Sequence, residues 1–236
     1  MTDRATGQTP AIKPRLAATM ILIDHDGPFK KVLMGRRHSG HVFMPGKFVF
    51  PGGRVEPCDR FMSTSGALSP IIEEKLKKHV TRPAVSRPKA LALAAIRETF
   101  EETGILLGRK GAGPLAPSPA AAWSAFAEHG VCPCLENLRF VGRAITPPGR
   151  PRRFDAHFFV ADASEIAHQV EGMIHAETEL VELVWIPLAE AKTLDLPSIT
   201  GVLLEELDKR IDAGMCHDLP VPFFFERNKR WIREEL

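Results

Sequence analysis

The sequence predicts an α/β layered domain organised around a mixed β-sheet. Its 236 residues, 44% of them hydrophobic, suffice for one sizeable core. Short strand patterns and amphipathic helix patterns occur both as neighbours and in alternation, which favours helices layered on a sheet. We therefore expect one domain over residues 16–236 and, before it, a polar and flexible tail over residues 1–15.

Composition and charge argue against several classes of protein. A net charge of +2 gives no case for nucleic-acid binding. The first 15 residues lack the apolar core of a signal peptide, and no apolar run is long enough to span a bilayer. The four cysteines lack zinc-site spacing and are interpreted as reduced thiols. We therefore expect a cytoplasmic protein with neither nucleic-acid nor membrane partners.

Two strand patterns near the N-terminus predict a hairpin. They cover residues 16–23 and 31–35, and Asp26-Gly27 between them is a turn signal. A third short strand is predicted over residues 47–50, and Pro51-Gly52-Gly53 ends it. Because two glycines permit backbone geometries that other residues resist, this loop can approach a metal or a phosphate closely.

The next part of the chain interrupts this order. A short helix is predicted over residues 69–78, with Ser69 as its cap and a proline in its first turn. We interpret residues 60–87, approximately, as an insertion, followed by a longer helix that Ser86 caps and Gly104 ends. The later patterns predict helices over residues 120–129, 188–191 and 199–211, and strands over residues 138–141, 156–160 and 181–186.

The longer helix carries an unusual group of acids in residues 94–105, AAIRETFEETGI. Glu98, Glu101 and Glu102 lie at i, i+3 and i+4, so their carboxylates converge on one helix face. Because like charges there repel, we expect a cation beside them, either Arg97 or a hard divalent metal. The alternative is a solvated acidic helix, but no lysine or arginine stands four residues after these acids to pair with them.

Gly53, Asp59 and residues 97–105 together resemble the Nudix box, G-x5-E-x7-R-E-U-x-E-E-x-G-U, in which U is bulky and apolar. The second half of the box matches at every fixed position. In the first half Asp59 replaces glutamate, and the spacer before Arg97 has 37 residues where the family has seven, an insertion of 30 residues. A divided box of this kind is similar to one Nudix subgroup, which includes a peroxisomal coenzyme A diphosphatase.

The resemblance implies a Nudix-type α/β/α sandwich with a helical insertion inside the box. It also implies a hydrolase that cuts a nucleoside diphosphate linked to another group, with Mg²⁺ or Mn²⁺ as cofactor. Carried over residue by residue, Glu98, Glu101, Glu102 and the carbonyl of Gly53 are metal ligands, and Arg97 orients Glu101 or Glu98. The glutamates and Arg97 form the expected catalytic set, and the identity of the base stays open.

For the substrate, the resemblance indicates coenzyme A or acyl-coenzyme A. Residues 33–37 (LMGRR), Gly46 and residues 50–53 (FPGG) fall on the frame of the upstream motif found in Nudix enzymes that cut coenzyme A, with departures at His38 and Val42. A cationic group further along the chain is a candidate for holding phosphates: Arg143, Arg150, Arg152 and Arg153. The expected substrate-binding residues are Arg37, Arg153 and Phe50.

Two rival functions stay open at this point. One is a pyrophosphatase for ADP-ribose, a dinucleotide or a nucleotide sugar, and the other is a Nudix-fold sensor that binds a nucleotide without cutting it. The intact set of three glutamates argues against the sensor. Three acids near a late strand are further candidates for the metal site or the base: Glu177, Glu179 and Glu182. The run Phe223-Phe224-Phe225 is interpreted as core or as a dimer contact, so a homodimer is also left open.

Overall fold

A computed structural model of the protein describes residues 12–40, 44–111 and 121–236. The tail expected over residues 1–15 falls largely outside these ranges, as does Val42, so the expectation about the tail stays a prediction. Within the described ranges, a mixed sheet carries helices on both faces, which confirms the predicted α/β class. Across the same ranges, none of the helices combines the length and the apolar character needed to cross a membrane.

The strands and helices of the described residues are the following. The strands are β1 (Arg15–Asp24), β2 (Lys31–Arg37), β3 (Phe48–Val49), β4 (Gly52–Arg54), β5 (Ile105–Leu107), β6 (Arg109–Lys110), β7 (Val131–Cys132), β8 (Arg139–Ile145), β9 (Phe154–Asp162), β10 (Ile166–Gln169), β11 (Leu180–Pro187), β12 (Pro222–Arg227) and β13 (Arg230–Glu235). The α-helices are α1 (Pro70–Lys77), α2 (Arg87–Thr103), α3 (Ala121–Glu128), α4 (Leu188–Ala191) and α5 (Ser198–Asp212).

Among the described residues, the main sheet has nine strands. Seven of them follow the order β11-β2-β1-β9-β8-β12-β13, β3 lies beside β2 and β4 lies beside β1. The pairs β1/β9 and β8/β12 are parallel and the other pairs are antiparallel. Apolar side chains alternate along the central strands and fill a core on each face of the sheet. Helix α2 covers one face and α5 covers the other.

The first hairpin opens towards one end, and this opening positions the candidate site. Strands β1 and β2 pair at Ile23–Val32 and Asp24–Lys31, next to their turn. Further along, β1 pairs with β4 through residues 17–19, and β2 pairs with β3 through Gly35 and Arg36. The segment from β3 to β4 therefore brings Gly52 and Gly53 to the strands below α2.

Helix α2 has a buried N-terminal half and carries its acids near the C-terminal end. Gly104 ends the helix with φ of 75°, a left-handed conformation that glycine adopts at little cost. The predicted cap at Ser86 makes no side-chain hydrogen bond to the helix, and neither does the predicted cap at Ser69. Thr99, at an apolar position of the box, is buried and its hydroxyl donates to the carbonyl of Ala95 at 2.7 Å. This local bond satisfies the hydroxyl inside the core.

The insertion is packed against the rest of the molecule. Ile72 and Leu76 of α1 are each 1% exposed and belong to the core under α2. The buried Nζ of Lys75 donates to the carbonyls of His217 and Leu219 at 2.8 and 2.6 Å. These contacts hold α1 between α2 and the segment before β12. The insertion thus extends the core, and it leaves Asp59 and Arg97 in contact.

Candidate active site

Strand β4 and helix α2 meet where the two glycines approach the acidic helix face. A Cβ atom added to Gly53 would lie 2.4 Å from the carboxylate of Glu98, so a larger residue does not fit there without displacing that carboxylate. The backbone N–H of Gly52 donates to Oε2 of Glu102 at 3.1 Å. The glycine loop and the acidic helix therefore come together, although 30 extra residues separate them in the sequence.

The buried side chain of Arg97 connects the segment that contains Arg54 and Asp59 with the acidic face of α2. Its Nε and Nη2 donate to the two carboxylate oxygens of Asp59 at 2.8 and 3.1 Å, and Nη2 also donates to the Arg54 carbonyl at 2.8 Å. Its Nη1 donates to Glu98 at 2.9 Å and to Glu101 at 2.7 Å. With 2% of its side chain exposed, Arg97 reaches these acids but not the solvent. It orients both glutamates, which makes it a positioning residue.

Asp59 stands where the box has glutamate, and its environment explains why the shorter side chain works. A 3-10 turn over Pro57–Arg60 carries the carboxylate to Arg97, and the backbone N–H of Glu56 donates to it at 2.8 Å. Asp59 is 0% exposed. Because its oxygens are engaged with Arg97 and the turn, the role we assign to Asp59 is to fix the guanidinium.

The carboxylates on the helix face are held in an environment that penalises their charge. Burial raises the pKa of Glu98 to about 7, despite the opposing charge of Arg97. Burial likewise raises the pKa of Glu101. Burial, followed by the charge of Glu179, raises the pKa of Glu102 well above its ordinary value. For Arg97, burial lowers the pKa, but the hydrogen bonds and charge of Asp59 outweigh burial and raise it, so the guanidinium stays charged.

The donor chemistry of this face fits a hard divalent cation. Its potential ligands are all oxygens, namely three carboxylates and the nearby backbone carbonyl of Gly53, and Mg²⁺ and Mn²⁺ prefer such ligands. A cation beside these buried acids would favour their charged forms. Within the described ranges, no three acidic, histidine or cysteine side chains already form a closed metal-binding group. In this structure the glutamates are directed to Arg97 and to the N–H of Gly52.

Glu179 and Arg37 border the acidic face on the strand side. Arg37 ends β2 and Glu179 precedes β11, and the guanidinium of Arg37 donates to the Glu179 carboxylate. The charge of Glu179 acts on Glu102, and Arg37 has the opposite effect on the same group. Of the three late acids, Glu179 is therefore the one that the structure places near Glu102. Glu182 instead pairs with Arg36 at 2.6 Å.

The other predicted substrate-binding residues lie elsewhere. Phe50 is 6% exposed and packs in the core on the α5 face of the sheet, which leaves no ring surface for a substrate. The guanidinium of Arg153 donates to the carbonyls of Thr146 and Ile12 at 2.9 and 2.6 Å. Arg143 is 3% exposed and binds Asp155 through two hydrogen bonds. The contacts of both arginines hold the chain together and do not join the acidic face.

Comparisons with known proteins concern the chain as a whole. No family model matches the chain. A Nudix hydrolase structure from Alicyclobacillus acidocaldarius is 31% identical, with a TM-score of 0.60, and the alignment covers 82% of this chain and 90% of that one. "Putative nudix hydrolase 7" of Caenorhabditis elegans is 28% identical over an alignment of 140 residues, and the alignment covers 56% of this chain and 39% of that relative's length. On its similarity to the bacterial structure over nearly all of that protein, the chain belongs to the Nudix hydrolase family.

Proposed function

We propose that this protein hydrolyses a nucleoside diphosphate linked to another group, and that coenzyme A or acyl-coenzyme A is its substrate. The observation that carries the proposal is the meeting of Glu98, Glu101 and Glu102 with the Gly52-Gly53 loop above the buried Arg97. Nudix hydrolases generally use divalent metal ions, and Mg²⁺ or Mn²⁺ is the cofactor proposed for this chain. A metal bound here would supply charge neutralisation for the diphosphate.

Metal binding, phosphate binding and proton abstraction are assigned to residues of this chain as follows. Glu98, Glu101, Glu102 and the Gly53 carbonyl would hold the metal, and Arg97 keeps two of these acids in place. Arg37, next to Glu102 and Glu179, is the proposed contact to a substrate phosphate. Two carboxylates are candidate bases for the attacking water: Glu98 on α2, and Glu179, which precedes β11 on the strand side of the acidic face. Proton abstraction requires the base to lie within hydrogen-bond reach of that water.

A cavity lies at the C-terminal end of helix α2. It has a volume of about 390 Å³, which lies within the usual range for small-molecule sites. Thr103, the residue after Glu102, lines it, and so does the segment over residues 170–174 that leads on to Glu179. Its walls combine the polar Gln169 and Glu171 with five apolar side chains: Leu33, Ile105, Ile166, Leu183 and Trp185. The cavity therefore offers space for a substrate group beside the helix and does not favour an acyl chain over a ribose.

The test uses purified protein with Mg²⁺ or Mn²⁺ and a panel of coenzyme A, octanoyl-coenzyme A, NADH, ADP-ribose and dinucleoside polyphosphates. Chromatography of the products distinguishes the candidates. We expect 3′,5′-ADP from coenzyme A and its thioester, and no product with Glu101→Gln. The matched control is Glu128→Gln, which alters an exposed glutamate on α3.

Two results would contradict the proposal. AMP from ADP-ribose without 3′,5′-ADP from coenzyme A would establish the rival pyrophosphatase. Cleavage of no panel member, together with nucleotide binding that Glu101→Gln leaves unchanged, would show a sensor.

A further inference from the structure

Strand β13 forms an open edge of the main sheet. It is the last strand in the order, and among the residues that the structure describes no strand pairs with its outer side. It carries Trp231, whose side chain is 59% exposed. Unpaired backbone groups on an edge strand are a template for pairing with another strand. An exposed tryptophan on such an edge is a second indication of an interface, because aromatic residues are enriched at protein interfaces.

The register of the hairpin shows which backbone groups point outwards. Strands β12 and β13 are joined by a two-residue turn, Asn228-Lys229, with φ values of 51° and 60°. In such a hairpin the residues that flank the turn, here Arg227 and Arg230, exchange backbone hydrogen bonds, and every second pair beyond them does the same. Arg230, Ile232 and Glu234 therefore bond to β12. The backbone N–H and C=O groups of Trp231, Arg233 and Glu235 face away from the sheet.

The side chains of β13 are complementary to a second copy of the same strand. In an antiparallel arrangement that centres Ile232 on Ile232 of a second copy, Arg230 of each chain lies opposite Glu234 of the other. Trp231 of each chain then lies opposite Arg233 of the other, a pairing that allows a cation–π contact. In this register, residues whose backbone N–H and C=O groups face outwards lie opposite each other. Backbone hydrogen bonds therefore form between Trp231 of each chain and Arg233 of the other.

The neighbouring register is less favourable, which makes the arrangement specific. Centring on Arg233 places the two Arg233 side chains opposite each other and Ile232 opposite Glu234. Like charges directly opposite each other on a sheet are destabilising. Charged edge strands normally prevent pairing with arbitrary strands, but the order of charges in β13, basic first and acidic last, permits pairing with itself.

We propose that β13 mediates a two-fold homodimer in which the sheets of two chains join edge to edge, centred on Ile232. Within one chain these side chains make ion pairs that are partly exposed and therefore weak competitors. Arg233 lies 2.9 Å from Glu235 and 3.6 Å from Glu206, and Glu234 lies 3.6 Å from His79 and 3.7 Å from Arg227. The interface contains about four backbone hydrogen bonds and the facing charge pairs. It is independent of the substrate and of the metal.

The experiment measures the mass of the full chain by sedimentation equilibrium between about 1 and 200 μM, a range that covers weak and moderate dimers. We expect a reversible dimer. Arg230→Glu and Glu234→Arg, each placing like charges opposite each other, should raise the dimer Kd at least about tenfold. The double variant Arg230→Glu/Glu234→Arg restores the opposite charges and should recover most of the lost affinity.

A second variant separates the edge from the rest of the surface. Arg233→Pro removes an outward-facing N–H that the hairpin does not use, so the monomer should fold while the dimer is lost. Circular dichroism confirms folding of each variant. The proposal is overturned by a monomer throughout the concentration range. It is equally overturned by a dimer that Arg233→Pro leaves intact, or by a double variant with no recovery.

Discussion

Two buried arginine–aspartate centres in this molecule share their chemistry and differ in what surrounds them. In the Arg97 centre, the guanidinium binds Asp59 and directs its remaining nitrogen to Glu98 and Glu101. In the Arg143 centre, the guanidinium binds Asp155 at 2.7 and 2.8 Å and donates its third nitrogen to the carbonyl of Lys78. The Arg97 centre therefore orients acids that are partly exposed, whereas the Arg143 centre consists of the Asp155 carboxylate and a backbone carbonyl around the guanidinium.

The surroundings of the Arg143 centre confirm its enclosed character. His157 is 0% exposed and stacks on Phe140, and Arg143 lies 4.4 Å from the ring centre of Phe223. A second arginine, Arg87, approaches the same aspartate. The difference is that Arg97 directs part of its hydrogen bonding to carboxylates of the acidic face, one of which is exposed, whereas Arg143 binds the aspartate and a backbone carbonyl. We therefore expect the two centres to respond differently to the same substitutions.

The largest expected effect falls on the acidic face of α2, beside the Arg97 centre. Glu102→Gln removes a negative charge from the proposed metal site, and the loss of several kcal/mol of stabilisation corresponds to a decrease in kcat/KM of about a thousandfold. Its unfolding midpoint in urea should stay near that of the unsubstituted protein. Steady-state kinetics at saturating Mg²⁺ measure the first quantity, and a decrease below about tenfold would remove Glu102 from the proposed site.

The same substitution in the two centres gives the direct comparison. Asp155→Asn takes from the buried Arg143 the carboxylate that it binds, which should cost about 3 kcal/mol of stability, and Asp59→Asn should cost less because Arg97 keeps its ion pairs with Glu98 and Glu101. Asp59→Asn should in addition lower kcat/KM by roughly 10- to 100-fold, because Arg97 no longer holds the glutamates in place. Urea unfolding and kinetics on the folded fraction test both. Equal activities of the two variants would contradict the division into a functional and a structural centre.

A smaller effect is expected from the pH dependence of stability at the Arg143 centre. Burial lowers the pKa of His157 to about 3, so the folded protein keeps this imidazole neutral, while the unfolded chain protonates it near pH 6.5. Its contribution to stability is therefore complete above pH 6.5 and is lost as the pH falls towards 3. Between pH 6.5 and 4.5 the loss amounts to about 2 kcal/mol.

His157→Asn should remove that slope, since an amide does not titrate. Urea unfolding of both proteins at several pH values measures the difference between their free energies of unfolding. The glutamates with raised pKa give both proteins the same opposite pH slope, so their contribution cancels in this difference. His25→Asn, which alters an exposed histidine, serves as the control. A variant whose stability falls with acid as steeply as that of the unsubstituted protein would show that another group is responsible. Asp155, whose pKa is lowered chiefly by the hydrogen bonds of Arg143 against the effect of burial, titrates below this window.

Local patterns predicted much of the scaffold. The first hairpin and α2 emerge from strand alternation, from a turn signal and from a glycine at the helix end, all of which act over a few residues. The short strands β4, β5 and β10 were not predicted, because segments of four residues or fewer gain their stability from partners far along the chain.

The predicted acids come together in the structure, whereas several of the predicted arginines and Phe50 do not join them. Helical spacing alone brings Glu98, Glu101 and Glu102 to one face. Whether Arg143 binds a phosphate or Asp155 depends on the pairing of β8 with β9, and that pairing is long-range. The contact between Arg37 and Glu179 joins residues 142 positions apart, so no local pattern could select Glu179 among the late acids.

The ion pair between Asp59 and Arg97 has a consequence for the history of the chain. Lengthening the connection between them from seven to 37 residues costs only roughly 1.5 kcal/mol of loop entropy. Removing one partner of a buried ion pair costs more, about 3–5 kcal/mol. The free energy lost by breaking the ion pair is therefore larger than the entropic cost of the longer connection. A long segment can therefore separate Asp59 from Arg97 in the sequence while their contact, and with it the position of Glu98 and Glu101, is kept.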